Sequence, residues 1–265
     1  MKAEDYKKAV VSDSFFPDYS ITSVCNLNCV GCRMYTSIAK PWFVSLEQIE
    51  ADIVHLKRIG IHGVSLIGGE PTVHPKLKEI IELFSCHDIK VGILTNGKNF
   101  SRLSFKTYAT MRKHNVVISF TMYPKANINY QLNEKVCKAF HIEYNYFNTA
   151  MSVIEQSLLS PSGKYDKLEQ WNWCNSVWPI IQAGKLFICI AAVNIDQLNN
   201  KFGTHIRHDY LELKDIKDFE QFKEYTTNPI EFCRYCGADD NPIMNKVIPW
   251  RKSEGKADEW LKLNE

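Results

Sequence analysis

SVCNLNCVGCRMY, residues 23–35, puts Cys25, Cys29 and Cys32 on one short loop in the pattern C-x3-C-x2-C. Three thiols are one too many for a disulfide and one too few for a closed structural zinc site, which takes four ligands. Cysteine thiolates also hold iron–sulfur clusters, normally four of them for a [4Fe–4S] cube. Three would leave one iron open to a second molecule, as a catalytic zinc keeps one position open. The loop follows YSITSV (19–24), which reads as a short strand.

Outward from this loop the chain alternates helix and strand. SLEQIEADIVHLKRIG (45–60) predicts a helix capped by Ser45, with Gln48 as the reciprocal capping-box partner and Gly60 as its stop. Ile49, Ile53, Leu56 and Ile59 share its apolar face. GVSLIG (63–68) predicts a buried strand. PKLKEIIELF (75–84) predicts a helix with Pro75 in its first turn. KVGILTNG (90–97) is a strand ending in a turn, and residues 101–114 a helix with Phe105, Tyr108 and Met111 on one face. VVISFTMY (116–123) and IEYNYF (142–147) are further strands. Strands alternating with helices imply βαβ units and a parallel sheet with right-handed crossovers. The unusual loops, the cysteine stretch, GGEP (68–71), TNG (95–97) and the end of SFTMYP, all follow strands, and so gather on one rim of an α/β barrel. From about residue 160, SPSGKYDKLEQWNW reads as a polar and aromatic connector. The roughly hundred residues beyond it have weaker periodicity, and metal is expected to help fold them.

The chain has 265 residues, a net charge of +2, 45% apolar and 23% charged residues. This is the composition of a globular protein, without a nucleic-acid footprint. No apolar run approaches a membrane span, and the charged N-terminus MKAEDYKKAV has no signal-peptide core, which places the protein in the cytoplasm. In a reducing compartment nine clustered cysteines point to metal or catalysis rather than disulfides.

CNLNCVGC with GGEP after the next strand resembles the radical S-adenosylmethionine (radical SAM) enzymes. The resemblance implies a partial (β/α)6-type barrel over residues 1–160. It also implies a [4Fe–4S] cluster on Cys25, Cys29 and Cys32, with S-adenosylmethionine chelating the fourth iron. Gly68, Gly69, Glu70 and Pro71 would receive the methionyl ammonium, with Glu70 as the anionic acceptor. Asn96 in TNG and Ser119 on the fourth strand, less so Thr121, match positions near the cofactor in that family. Family members often carry an aromatic residue where this chain has Gly31.

The second cysteine group, Cys174, Cys189, Cys233 and Cys236, lies as C-x9-G-x4-C followed by C-x2-C, with Gly184 suited to a hairpin tip and KLFICI to its return strand. Its spacing alone allows a four-cysteine zinc site. Beside the first motif it resembles the auxiliary-cluster module of SPASM and twitch proteins, in the shorter twitch form, over residues 161–265. That implies one auxiliary [4Fe–4S] cluster with four protein ligands. In size and cysteine layout the chain is similar to the aminocyclitol dehydrogenases of that group. The resemblance implies an oxidoreductase that abstracts hydrogen from a small carbohydrate- or cyclitol-like alcohol with a 5′-deoxyadenosyl radical. The auxiliary cluster takes the electron, and a flavodoxin- or ferredoxin-type protein is the donor. Only about 24 residues precede Cys25, which leaves no room for an added peptide-binding domain and favours a small-molecule substrate, without nucleic acid or membrane as partner.

Three other readings stay open: a radical SAM epimerase of a sugar or peptide residue, a peptide-modifying radical SAM enzyme, and a metal-bound scaffold that has lost catalysis. An epimerase would need a hydrogen donor such as Cys86 or Cys137, each otherwise a packing residue. His74 beside GGEP is either a turn residue or faces the site. His205, Arg207 and His208 form a cationic stretch, read as a solvated face.

Overall fold

The computed structural model describes residues 15–148, 153–156, 158–174, 177–237 and 246–263; the charged N-terminus read above lies outside them. The first half is a run of βα units. β1 (Asp18–Ser20) leads into the cysteine loop, then α1 (Leu46–Ile59), β2 (Gly63–Ile67), α2 (Leu77–Cys86), β3 (Lys90–Thr95), α3 (Phe105–Lys113), β4 (Val117–Thr121), α4 (Tyr130–Phe140) and β5 (Glu143–Asn148). The second half holds β6 (Val153–Gln156), α5 (Lys167–Trp173), β7 (Ile180–Gln182), β8 (Lys185–Phe187), α6 (Ile190–Val193), α7 (Ile195–Phe202), β9 (Leu211–Glu212), α8 (Phe219–Thr226) and β10 (Lys246–Pro249).

β1 to β5 stand side by side in sequence order, all parallel, as the βαβ pattern requires. The sheet then continues on the other side of β1, which pairs parallel with β7; β8 and β9 follow antiparallel. The result is a mixed α/β architecture, a mostly parallel eight-stranded sheet forming a partial barrel. Because β7 lies directly beside β1, the sheet runs unbroken across residue 160. β6 is not part of it and pairs antiparallel with β10.

Local chemistry explains most of these elements. Ser45 Oγ accepts the Gln48 amide at 3.1 Å, and Gly60 ends α1 at φ 87°. Gln48 does not return the capping bond. Its Nε2 donates instead to buried Asp52 Oδ1 at 2.9 Å. Asp52 Oδ2 also accepts from Tyr19 Oη at 2.7 Å and Gly184 N at 3.2 Å, so one carboxylate ties β1, α1 and the β7–β8 turn. Both residues of that turn, Ala183 and Gly184, are left-handed (φ 50° and 79°), as a two-residue hairpin needs.

Three expectations are corrected. Pro75 lies ahead of α2, whose N-cap is Lys76. Tyr108 and Met111 are buried, but Phe105 is 74% exposed, because it opens α3 just after the Ser104 cap and rests only its edge on Phe140. The stretch read as a connector contains α5, capped by Asp166 Oδ1 accepting from the amides of Leu168 and Glu169. Among the described residues no helix is long and apolar enough to cross a membrane.

Candidate active site

The cysteine loop leaves β1 and is fixed from two sides. From within, Leu27 N donates to Cys25 Sγ at 3.4 Å and Cys32 N to Cys29 O at 3.3 Å. From without, a strap near the C-terminus lies along it. Val30 N donates to Arg251 O (2.9 Å), Ser253 N to Asn28 O (2.8 Å), Trp260 Nε1 to Cys32 O (3.0 Å) and Trp250 Nε1 to Cys29 Sγ (3.1 Å). Gly31 has φ 61°, a left-handed backbone that an aromatic residue would strain, which is a physical reason for glycine at this place.

The GGEP turn docks on the same segment, backbone against backbone. Gly69 N donates to Thr22 O at 2.7 Å and Glu70 N to Val24 O at 2.9 Å. A Cβ on Gly68 would fall 2.3 Å from Thr22 O, and one on Gly69 2.2 Å from Val24 O. The two glycines therefore serve the approach of this turn to the segment after β1 that leads to Cys25.

Glu70 is 1% exposed. Its Oε1 accepts from Thr72 Oγ1 (2.6 Å), Thr72 N (3.0 Å) and Thr95 Oγ1 (2.6 Å), and its Oε2 from Asn96 N (2.9 Å). Burial raises its pKa, and these four bonds work the other way by favouring the ionised form. Oε2, with one donor, keeps a lone pair for a cation. Asn96 Nδ2 donates to Asn26 Oδ1 at 2.9 Å and stands 4.0 Å from Cys25 Sγ, linking the TNG turn to the cysteine loop.

A cavity of about 430 Å³ opens between these parts. Cys25, Cys29, Cys32, Gly68, Gly69, Glu70 and Asn96 all line it, with Thr121, Tyr123 and Arg33. Pro71 and Ser119 are not among its lining residues, whereas Thr121 is. His74 faces away: its Nε2 lies 3.2 Å from Val44 O, and its Nδ1 accepts from Lys76 N. Cys86 is exposed and Cys137 fully buried, and neither reaches the cavity. Burial pushes the Cys25 thiol up to about 11 and the Cys29 thiol to about 12. Cys25 and Cys29 as thiolates in this pocket are favoured by a cationic group beside them, which iron supplies.

The four cysteines of the second set lie together. Cys174 ends α5, Cys189 precedes α6, Cys233 lies in the helical turn Glu231–Tyr235 and Cys236 closes it. All four line one cavity of about 30 Å³, and Arg33 lines it too. Arg33 Nη2 donates to Cys189 Sγ at 3.8 Å, while its buried Nε has no partner among the described residues. Burial disfavours the Arg33 charge, but Cys189, Cys236 and Cys174 outweigh it and hold the guanidinium above its ordinary range. No disulfide joins any of the nine cysteines. Among the described residues no group of three His, Cys, Asp or Glu side chains is placed to hold a single metal ion.

Sequence reasoning overlooked Thr72, Thr95, Trp250, Tyr123 and Arg33. Thr72 and Thr95 adjoin quoted motifs, and Arg33 follows Cys32 directly. Nothing local marks Trp250, which meets Cys29 across 221 residues.

Residues 19–138 match the Radical SAM superfamily model. The probable GTP 3′,8-cyclase of Pyrococcus horikoshii is 33% identical over 87 residues, covering 33% of this chain and 28% of the relative. The mycofactocin maturase MftC of Mycobacterium ulcerans is 34% identical over 79 residues, covering 30% and 21%. The chain thus spans less than a third of the length of these curated relatives. Among solved structures, BtrN in complex with AdoMet and 2-DOIA matches with a TM-score of 0.54 and 15% identity over 85% of this chain and 94% of that one, a likeness of fold. Cys25, Cys29, Cys32 and the GGEP turn all fall inside the matched region, and residues 19–138 therefore form a radical SAM domain, with a [4Fe–4S] cluster and S-adenosylmethionine as the cofactors of that domain.

Proposed function

We propose that the chain is a radical SAM oxidoreductase that turns an alcohol of a small carbohydrate- or cyclitol-like substrate into a ketone, with residues 161–265 as a twitch-type module. In this reading Cys25, Cys29 and Cys32 hold the first cluster. Glu70 accepts the methionyl ammonium on Oε2, within the turn shaped by Gly68, Gly69 and Pro71. Asn96 closes that side of the pocket, and Ser119 or the cavity-lining Thr121 offers a hydroxyl to the cofactor. Cys174, Cys189, Cys233 and Cys236 hold an auxiliary [4Fe–4S] cluster. With their cofactors bound, the first site supplies hydrogen-atom abstraction and the second an electron acceptor, so that a carbinol loses a hydrogen atom, a proton and an electron.

The observation that carries this reading is the second cysteine set. Four thiols surround a single small cavity, enough to ligate every iron of a cube and leave none for substrate. Such a group is suited to receive an electron. The positions of Cys86 and Cys137 favour the same reading over epimerisation, because neither thiol reaches the cavity to return a hydrogen atom.

The test is product analysis with reduced, anaerobic enzyme, S-adenosylmethionine and candidate sugars and cyclitols in deuterated water. A product two hydrogens lighter, without solvent deuterium, is expected. Replacing Cys233 and Cys236 by alanine should leave cleavage of S-adenosylmethionine and abolish the ketone. A redox-neutral product carrying solvent deuterium would establish epimerisation instead, and turnover only with peptides would establish peptide modification.

A further inference from the structure

Arg33 occupies a position that the reaction scheme does not use. It follows Cys32, the last thiol of the first set, in sequence. Yet its side chain lines the large cavity and also the small one among the four cysteines of the second set. It lines a third void as well, with Cys236 and Trp260. Its Nη2 points at Cys189 Sγ at 3.8 Å, and its buried Nε has no hydrogen-bond partner in the described structure. No carboxylate forms an ion pair with it among the described residues. Guanidinium is always charged and always a donor. A partly buried one, its Nε enclosed, without a carboxylate and facing sulfurs, is placed to offset negative charge on them.

We propose that Arg33 is a positioning residue that supplies the counter-charge of the second cysteine set and so makes the group held there easier to reduce. The proposal rests on the reading that this set holds a [4Fe–4S] cluster. Four thiolates around a cube leave a net negative site, and a further electron makes it more negative. A fixed cation against Cys189 favours the reduced form more than the oxidised one. Charge and hydrogen bonds to the sulfurs are among the factors that set such potentials. The same side chain also borders the cavity from which the substrate's electron would come. The balance is simple: the substrate radical gives up one electron and one proton and becomes the carbonyl, the cluster gains the electron, and a soluble redox protein later removes it.

The experiment uses the full chain with Cys25, Cys29 and Cys32 replaced by alanine, so that only the second cluster is loaded. Native Arg33, Arg33→Lys and Arg33→Gln are compared after anaerobic reconstitution. Iron content and the midpoint potential of the EPR-active reduced cluster are both measured. About four irons per chain are expected in all three. The potential should move to more negative values in Arg33→Gln and recover at least partly in Arg33→Lys. An unchanged potential in Arg33→Gln at full iron content overturns the role of Arg33 and leaves the cluster reading intact. Loss of iron from both Arg33 variants also overturns it, because Arg33 would then hold the site's shape rather than its charge. Stoichiometric zinc in place of iron with Arg33 present overturns the cluster reading itself, and this role with it.

Discussion

At the scale of the residue, Glu70 is the most constrained side chain of the site. It serves four donors and lines the cavity. Glu70→Gln removes the charge and turns an acceptor into a donor where only donors surround it. A charge-assisted bond to an ammonium is worth roughly 1.5–3 kcal/mol, so affinity for S-adenosylmethionine should fall about tenfold or more. Iron content should be nearly unchanged. Equilibrium binding to the reconstituted variant checks this, and undiminished affinity would place the ammonium elsewhere. Trp250 acts on the other side of the loop. Its indole N–H reaches Cys29 Sγ at 3.1 Å, and such a bond favours the more negative, reduced cluster. Trp250→Phe should therefore make the first cluster harder to reduce at constant iron content, as a potentiometric EPR titration would record.

At the scale of the element, the docking of the GGEP turn on Thr22 and Val24, just after β1, is what brings Glu70 to the cysteines. An added Cβ on Gly69 meets the carbonyl of Val24, which cannot rotate aside as a side chain would. Gly69→Ala should cost about 1–3 kcal/mol, as overpacking generally does, and lower the melting temperature by several degrees. Gly203→Ala is a suitable control, since that glycine has no neighbour within 4 Å and only its φ of 67° is affected. Equal losses in the two variants would show that the close approach contributes nothing. The parallel run β1 to β5 was legible because period and turn chemistry are local properties, and C-x3-C-x2-C was legible because its spacing is local too. The partner of Gln48 was not, because Asp52 competes for its amide only once Tyr19 and Gly184 are brought beside it. The place of β7 beside β1 was hidden for the same reason: sheet order depends on pairing between segments about 160 residues apart. Phe105 misled because helical periodicity marks a face but not how far the core extends along it.

At the scale of the whole molecule, reconstitution should load about eight irons per chain, four from each cysteine set. Removing Cys25, Cys29 and Cys32 together should leave about four; zinc bound at one equivalent with only four irons would speak against the auxiliary cluster. The central cavity also carries a pH dependence. Burial pushes the Asp18 carboxyl, which lines it, up to about 8, against hydrogen bonds from the Trp178 and Ser65 side chains. Between about pH 4 and pH 8 the folded chain keeps a proton that the unfolded chain has released, so this group's contribution to stability falls as the pH rises through that window. Asp18→Asn should flatten the decline in melting temperature from about pH 5 to about pH 8; an identical decline in the variant would assign it to other groups. A different consequence follows from the strap at residues 250–260. The ribosome completes the cysteine loop among the first segments and delivers Trp250, Arg251, Ser253 and Trp260 more than two hundred residues later. Bringing these segments together is a late, long-range event in folding. Until then the loop lacks the donors and acceptors that fix it from outside. The strap thus makes the final shape of the first cysteine loop wait on residues that the chain supplies last.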